Sequence, residues 1–113
     1  MKKIMSQVSK TNVKNGILAF KNLVHQFYGE NLERVILFGS QARGDAKEDS
    51  DVDILIITHQ HLSLGGREKL IAFISDLSMN ENILINFMEM SPQRFSSEQS
   101  PLLLNIRREG IVL

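Results

Sequence analysis

Two acids and a Gly-Ser pair are the residues whose types and spacing could do chemistry in this chain. Gly39-Ser40 ends an apolar run, Val35-Ile36-Leu37-Phe38, and ten residues later Asp51-Val52-Asp53 opens a second run, Ile54-Leu55-Ile56-Ile57. Both runs are short, rich in β-branched residues and bounded by turn formers, which predicts buried strands. Side chains alternate along a strand, so Asp51 and Asp53 are expected on one side. Two carboxylates held side by side repel each other unless a proton or a cation lies between them. At neutral pH the fitting partner is a hard divalent metal, which takes oxygen ligands and keeps waters and phosphate oxygens as the rest of its shell. Gly39-Ser40 offers backbone N–H groups, a hydroxyl, and a glycine with no side chain to obstruct approach. The pattern predicts a phosphate seat beside a metal seat.

The rest of the chain must position these residues. From Ser9 to Tyr28, Val13, Ile17, Phe20, Val24 and Phe27 recur at spacings of four and three, the stripe of an amphipathic helix lying on a sheet. Asn15 and Gly16 interrupt it, the glycine at a cost of about 1 kcal/mol, so burial must supply the stability. His25 falls beside the stripe and reads as a rim residue. Gly29 closes the helix, and Glu30-Asn31 turns the chain into the first strand. Arg43 in the loop after Ser40 could bring its guanidinium fork to the same phosphates or stand in water. Asp45, Glu48 and Asp49 read as solvated loop acids, and Ser50 as support for the turn into Asp51.

Further on, His59 and His61 invite a metal reading but have no third ligand nearby in the sequence. A helix over 67–78 presents Leu70, Phe73, Ile74 and Leu77 for core packing, and a third strand is expected over 82–90, with Met88 and Met90 in core and edge packing. The C-terminal segment carries a full set of helix signals: Ser100 as N-cap, Pro101 in the first turn, Arg107 and Arg108 in the last, Gly110 as the stop. Leu102, Leu103 and Ile106 can cover the sheet. Ile111-Val112-Leu113 is an added edge strand or a contact for another chain. The expected fold class is α/β: a small mixed β-sheet of three to four strands flanked by helices, mainly on one face. The open face carries Gly39, Ser40, Asp51 and Asp53. No internal repeat or long linker divides residues 1–113, which read as a single domain.

Composition sets the outer bounds. At 113 residues the chain can bury roughly two thirds of its unfolded surface without covalent staples. It contains no cysteine, which excludes disulfides and thiolate metal sites. The N-terminus is basic without a sustained apolar core, so no secretory signal is expected, and no stretch reaches the length of a membrane span. The expected location is the cytoplasm. The net charge of zero hides an asymmetry: residues 1–29 hold Lys2, Lys3, Lys10, Lys14 and Lys21 and no acid, whereas residues 30–53 hold seven acids against three bases. The basic opening is a solvated helix face or a surface for an anionic partner. Five spread lysines are too few to argue direct nucleic-acid binding.

Gly39-Ser40, ten intervening residues and Asp51-x-Asp53, with Ala42-Arg43-Gly44 between, resemble the signature of the minimal nucleotidyltransferase (MNT) domains, relatives of DNA polymerase beta and kanamycin nucleotidyltransferase. The resemblance covers most of the chain. It implies the nucleotidyltransferase fold, with a short helix starting at Ser40. It also implies a reaction in which Mg²⁺ on Asp51 and Asp53 bridges the phosphates of ATP or another NTP while Gly39, Ser40 and Arg43 hold the nucleotide. Ser40, Asp51 and Asp53 are then the catalytic set. An acceptor hydroxyl attacks the α-phosphorus and pyrophosphate leaves. Freestanding MNT proteins are often paired with a HEPN-domain toxin, and the implied role is that of an MntA-type antitoxin that moves AMP onto a tyrosine of its partner. Homo- and hetero-oligomers both stay open.

One position departs from the family pattern. Its members usually carry a third carboxylate on the third strand, where the best register here puts Asn86. An amide neither carries the charge for a second metal nor acts as a base. Glu81 precedes the strand, and Glu89 lies three residues on, so it projects to the opposite face unless a bulge re-aims it. The departure leaves a second reading beside the enzyme: a nucleotide-binding or partner-masking module without turnover. A third, transfer to a small hydroxylated compound, normally needs an acceptor-binding domain that these residues do not supply.

Overall fold

The computed structural model describes residues 8, 10–47 and 50–113. Lys2, Lys3, Ser9, Glu48 and Asp49 therefore lie outside the described residues. The elements run α1 (Thr11–Tyr28), a 3-10 turn (Gly29–Asn31), β1 (Leu32–Phe38), α2 (Ser40–Arg43), β2 (Val52–Thr58), α3 (Leu64–Glu81), β3 (Ile85–Met90), α4 (Pro92–Ser97), α5 (Pro101–Glu109) and β4 (Ile111–Val112). The four strands form one mixed sheet in the order β3-β2-β1-β4. β1 is antiparallel to both β2 and β4, while β2 and β3 are parallel. A parallel pair needs a long crossover, and α3 is that crossover.

Period two along the strands sorts the core into two layers. Val35, Leu37, Ile54 and Ile56 face α1 and α3, against Val13, Ile17, Phe20, Val24, Leu70 and Ile74. Their sequence neighbours Ile36, Leu55 and Ile57 face the other way, against Phe95 of α4 and Leu103 and Ile106 of α5. The sheet is thus flanked on both faces. The two long helices lie on one face, as expected, but α4 and α5 cover part of the face expected to be open. Asp53 shares the parity of Leu55 and Ile57, so the site lies on the α5 side, at the strand ends.

Local signals explain most boundaries. Gly29 ends α1 at φ 55° and ψ −130°, a positive-φ conformation that favours glycine, and Asn82 ends α3 at φ 53° and ψ 51°, the left-handed conformation that closes helices. Asn82 also delays β3, which starts at Ile85 instead of residue 82. α3 starts three residues before the sequence suggests, because Ser63 accepts a hydrogen bond from the Gly66 amide at 3.0 Å and caps a first turn containing Gly65-Gly66. Within α3 only Leu70 and Ile74 are buried. Phe73 is half exposed and meets Phe27 edge-on at 5.9 Å, so it packs between helices rather than in the core. Gly16, a poor helix former, lies where a Cβ would meet the Ile83 side chain. His25 is exposed, Met90 buried and Met88 half-buried. Ile111-Val112 adds the edge strand β4.

Candidate active site

The register of the sheet brings the site together. Phe38 pairs with Asp53 across β1 and β2, and Asp53 pairs with Asn86 across β2 and β3. The residue after Phe38 is therefore delivered beside Asp53. Gly39 has φ 76° and ψ −158°, a conformation essentially reserved for glycine. A Cβ there would stand 2.5 Å from Asp53 Oδ2. The glycine thus serves both the sharp turn and the close approach of backbone to carboxylate.

Ser40 begins α2, one turn closed by bonds from Ala42 and Arg43 to the Gly39 carbonyl and from Gly44 to the Ser40 carbonyl. The amides at the start of such a turn have no partner within it. Asp51 and Asp53 are both half-buried, and one donor reaches both: Asn86 Nδ2 gives a hydrogen bond to Asp51 Oδ2 at 2.9 Å and to Asp53 Oδ1 at 3.4 Å. Two carboxylate oxygens therefore converge on one point, on the side of the sheet that Gly39 approaches.

A convergent pair of hard oxygen donors with room for water and phosphate suits a divalent cation such as Mg²⁺. Among the described residues no group of three or more His, Cys, Asp or Glu side chains is arranged to hold a metal. His59 and His61 are both exposed, and His61 lies against Glu89 on the other face of the sheet. Arg43 is bonded to Asp45 at 3.2 Å and lies 3.7 Å from Glu109, in solvent-exposed pairs beside the Gly39 turn. Ser50 supports the turn before Asp51 through a 2.7 Å hydrogen bond from the Lys47 amide. Two hollows open at this end of the sheet, one toward α1 and α3 and one beside the Gly39 turn and α5. One, of about 730 Å³, is bordered by Asp51, Ser50, Asn12 and Asn82; the other, of about 180 Å³, by Gly39, Phe38, Arg43 and Asn105.

Glu89 is engaged elsewhere. It faces α1 and α3, on the opposite side of the sheet from Asn86. Its carboxylate, 9% exposed, accepts hydrogen bonds from Tyr28 Oη at 2.6 Å, the Leu62 amide at 3.3 Å and Arg67 Nη1 at 3.4 Å, with His61 Nδ1 at 3.3 Å. Burial pushes its pKa up, but the donors, Tyr28 first, outweigh burial and hold it below the usual value. Burial and the same hydrogen bond push the Tyr28 phenol far up. No bulge turns Glu89 toward the aspartates. Nothing local in the sequence points to this cluster, whose members are separated by up to 61 residues.

The profile of the nucleotidyltransferase domain matches residues 19–107. The chain belongs to that family. It is 43% identical over 70 residues to a candidate protein adenylyltransferase of Methanocaldococcus jannaschii, covering 62% of this chain and 71% of that one. A second such protein of the same archaeon is 31% identical over 103 residues, or 90% of this chain and 98% of the relative. Among solved structures, a candidate minimal nucleotidyltransferase superposes with TM-score 0.61 at 25% identity, over 89% of this chain and 92% of that chain. The fold also matches a toxin–antitoxin structure with AMP-PNP (TM-score 0.59, 20% identity, 88% and 70% covered). It likewise matches a tri-AMPylated Shewanella oneidensis HEPN toxin in complex with an MNT antitoxin (0.55, 18%, 90% and 71%). The mixed sheet flanked by helices is this nucleotidyltransferase fold. No helix among the described residues is long and apolar enough to cross a membrane.

Proposed function

We propose that this nucleotidyltransferase-family chain transfers a nucleoside monophosphate, AMP from ATP, to a hydroxyl of a partner protein, and that the acceptor is a tyrosine of a HEPN-domain toxin. The observation that carries the reading is convergence: the Gly39 turn meets the Asp53 carboxylate, and Asp51 and Asp53 share one focus. Asp51 and Asp53 would hold a divalent ion such as Mg²⁺, which would neutralise phosphate charge and make the α-phosphorus a better electrophile. The Ser40 hydroxyl and the amides around Gly39 hold the outer phosphates, and Arg43 adds charge at the rim once released from Asp45. The acceptor oxygen bonds to the α-phosphorus, the bond to the bridging oxygen of the β-phosphate breaks, and the hydroxyl proton passes to solvent.

The partner and nucleotide are supported by what the similar structures contain, AMP-PNP in one and an AMPylated HEPN toxin in another. The protein adenylyltransferases among the relatives support a protein acceptor. The described residues share one sheet, which supports reading 1–113 as a single minimal nucleotidyltransferase domain, and we place it in the cytoplasm, where ATP and such a partner meet.

Asn86 favours a second reading. With an amide beside the two aspartates there is no third carboxylate from β3, and a module that binds nucleotide and masks its partner without turnover needs none. One experiment separates the two. The chain is incubated with Mg²⁺, ATP labelled at the α-phosphate and the product of its neighbouring gene as the candidate partner. Label on the partner that disappears in Asp51→Ala and Asp53→Ala supports the transferase. Inhibition of the partner without label, undiminished in both variants, supports the module.

A further inference from the structure

Asn86 does more than leave a carboxylate out. Its amide nitrogen lies 2.9 Å from Asp51 Oδ2 and 3.4 Å from Asp53 Oδ1, on the same side of the sheet as both. The parallel register fixes this, since Asn86 is the direct partner of Asp53. The side-chain NH₂ has two hydrogens, one for each carboxylate, and carries the positive end of the amide dipole. It therefore occupies the focus where a cation would otherwise relieve the repulsion between two like charges.

We propose that Asn86 is a positioning residue that acts as a stand-in for the cation. It holds Asp51 and Asp53 in their convergent arrangement while the metal is absent, and it confines the site to a single divalent ion. The inference rests on the metal–nucleotide reading of the aspartate pair. Two consequences follow from charge alone. A metal ion entering the focus displaces the amide, so part of the binding free energy replaces hydrogen bonds already made. A pair of metal ions about 3.5–4 Å apart needs more anionic oxygen than two carboxylates supply, and a neutral side chain adds none. The single-ion limit makes the substrate phosphates the principal remaining charge in the site.

The test uses the full chain, Mn²⁺ as the probe, and the variants Asn86→Ala and Asn86→Asp. Free Mn²⁺ is followed by electron paramagnetic resonance, with and without AMP-PNP, and thermal melting is recorded with and without the ion. The wild type is expected to bind one Mn²⁺ per chain. Asn86→Ala is expected to melt lower without metal, to bind Mn²⁺ roughly tenfold more tightly, and to regain the wild-type midpoint at saturation. Asn86→Asp, restoring a carboxylate, is expected to bind two ions with AMP-PNP present. A purely structural asparagine would lower the melting point equally with and without metal; that result, or one ion in Asn86→Asp, overturns the inference. Were the wild type itself to bind no Mn²⁺ with AMP-PNP, the metal–nucleotide reading would fall and this inference with it. Wild-type binding with inert Asn86 variants removes the inference alone.

Discussion

Gly39 is held in a conformation reserved for glycine, with Asp53 Oδ2 where a methyl group would have to go. The backbone term costs about 1–3 kcal/mol for a residue with a Cβ. The added methyl also has to push the carboxylate aside, away from the focus it shares with Asp51. Gly39→Ala is therefore expected to lower the unfolding midpoint modestly and to lower nucleotidyl transfer by about a hundredfold, the scale of a catalytic group displaced by ~1 Å. Melting curves alongside transfer assays on folded protein separate the two effects. Transfer at the wild-type rate in a destabilised but folded variant would mean that the Asp53 position is not critical. The approach of Gly39 to Asp53 and the shared side of Asp51 and Asp53 were legible without a structure because that geometry is local: a strand end, a turn and a period of two. The part played by Asn86 was only half legible. Its place opposite Asp53 follows from strand pairing, but its bond to both carboxylates depends on a register set by α3 and the Asn82 turn.

Among the elements, α4 and α5 show what makes a helix readable. Both begin with a serine that caps the third residue on, Ser91 to the Arg94 amide and Ser100 to the Leu103 amide, and both place proline next. α5 is long enough for Leu103 and Ile106 to mark a buried stripe, so its caps could be recognised. The six residues of α4 give no such repeat, and Ser91-Pro92 alone did not reveal it. The two helices are tied by Arg107, which donates to the carbonyls of Phe95 and Glu98 and lies over the Phe95 ring. Ser100→Ala is expected to cost about 1 kcal/mol, or roughly 4 °C in a domain of this size, while Ser100→Asp retains most of the stability. α5 also borders the hollow beside Gly39 through Ile106, so the alanine variant should loosen nucleotide binding slightly as well. Calorimetric melting with and without AMP-PNP reads both quantities; an alanine variant as stable as the wild type would show that the cap bond contributes nothing.

At the scale of the whole molecule, one sheet carries two unlike faces: Glu89 of β3 lies with the long helices, and the focus of Asp51 and Asp53 lies on the side of α5. Glu89 was unreadable as a junction because its partners come from α1, the β2–α3 loop and the start of α3. It joins Tyr28, Leu62 and Arg67 to β3, so protonating it loosens four segments at once. Its folded pKa is lowered, and the unfolded chain therefore binds more protons than the folded one across the acid range. The sign follows: its contribution to stability is complete above the ordinary carboxylate value and is lost as pH falls through the depressed folded value. Glu89→Gln keeps one acceptor for Tyr28 but removes the charge that Arg67 meets, at an expected cost of about 1–3 kcal/mol near neutrality. Urea titrations from pH 7 down through the carboxylate range should show the wild type losing its advantage over Glu89→Gln as the acid range is crossed. A difference between the two proteins that stayed constant with pH would mean that this carboxylate is not the link between acid and the loosening of α1 and α3. The nucleotide binding proposed for the other face is expected to survive in Glu89→Gln wherever the sheet stays folded.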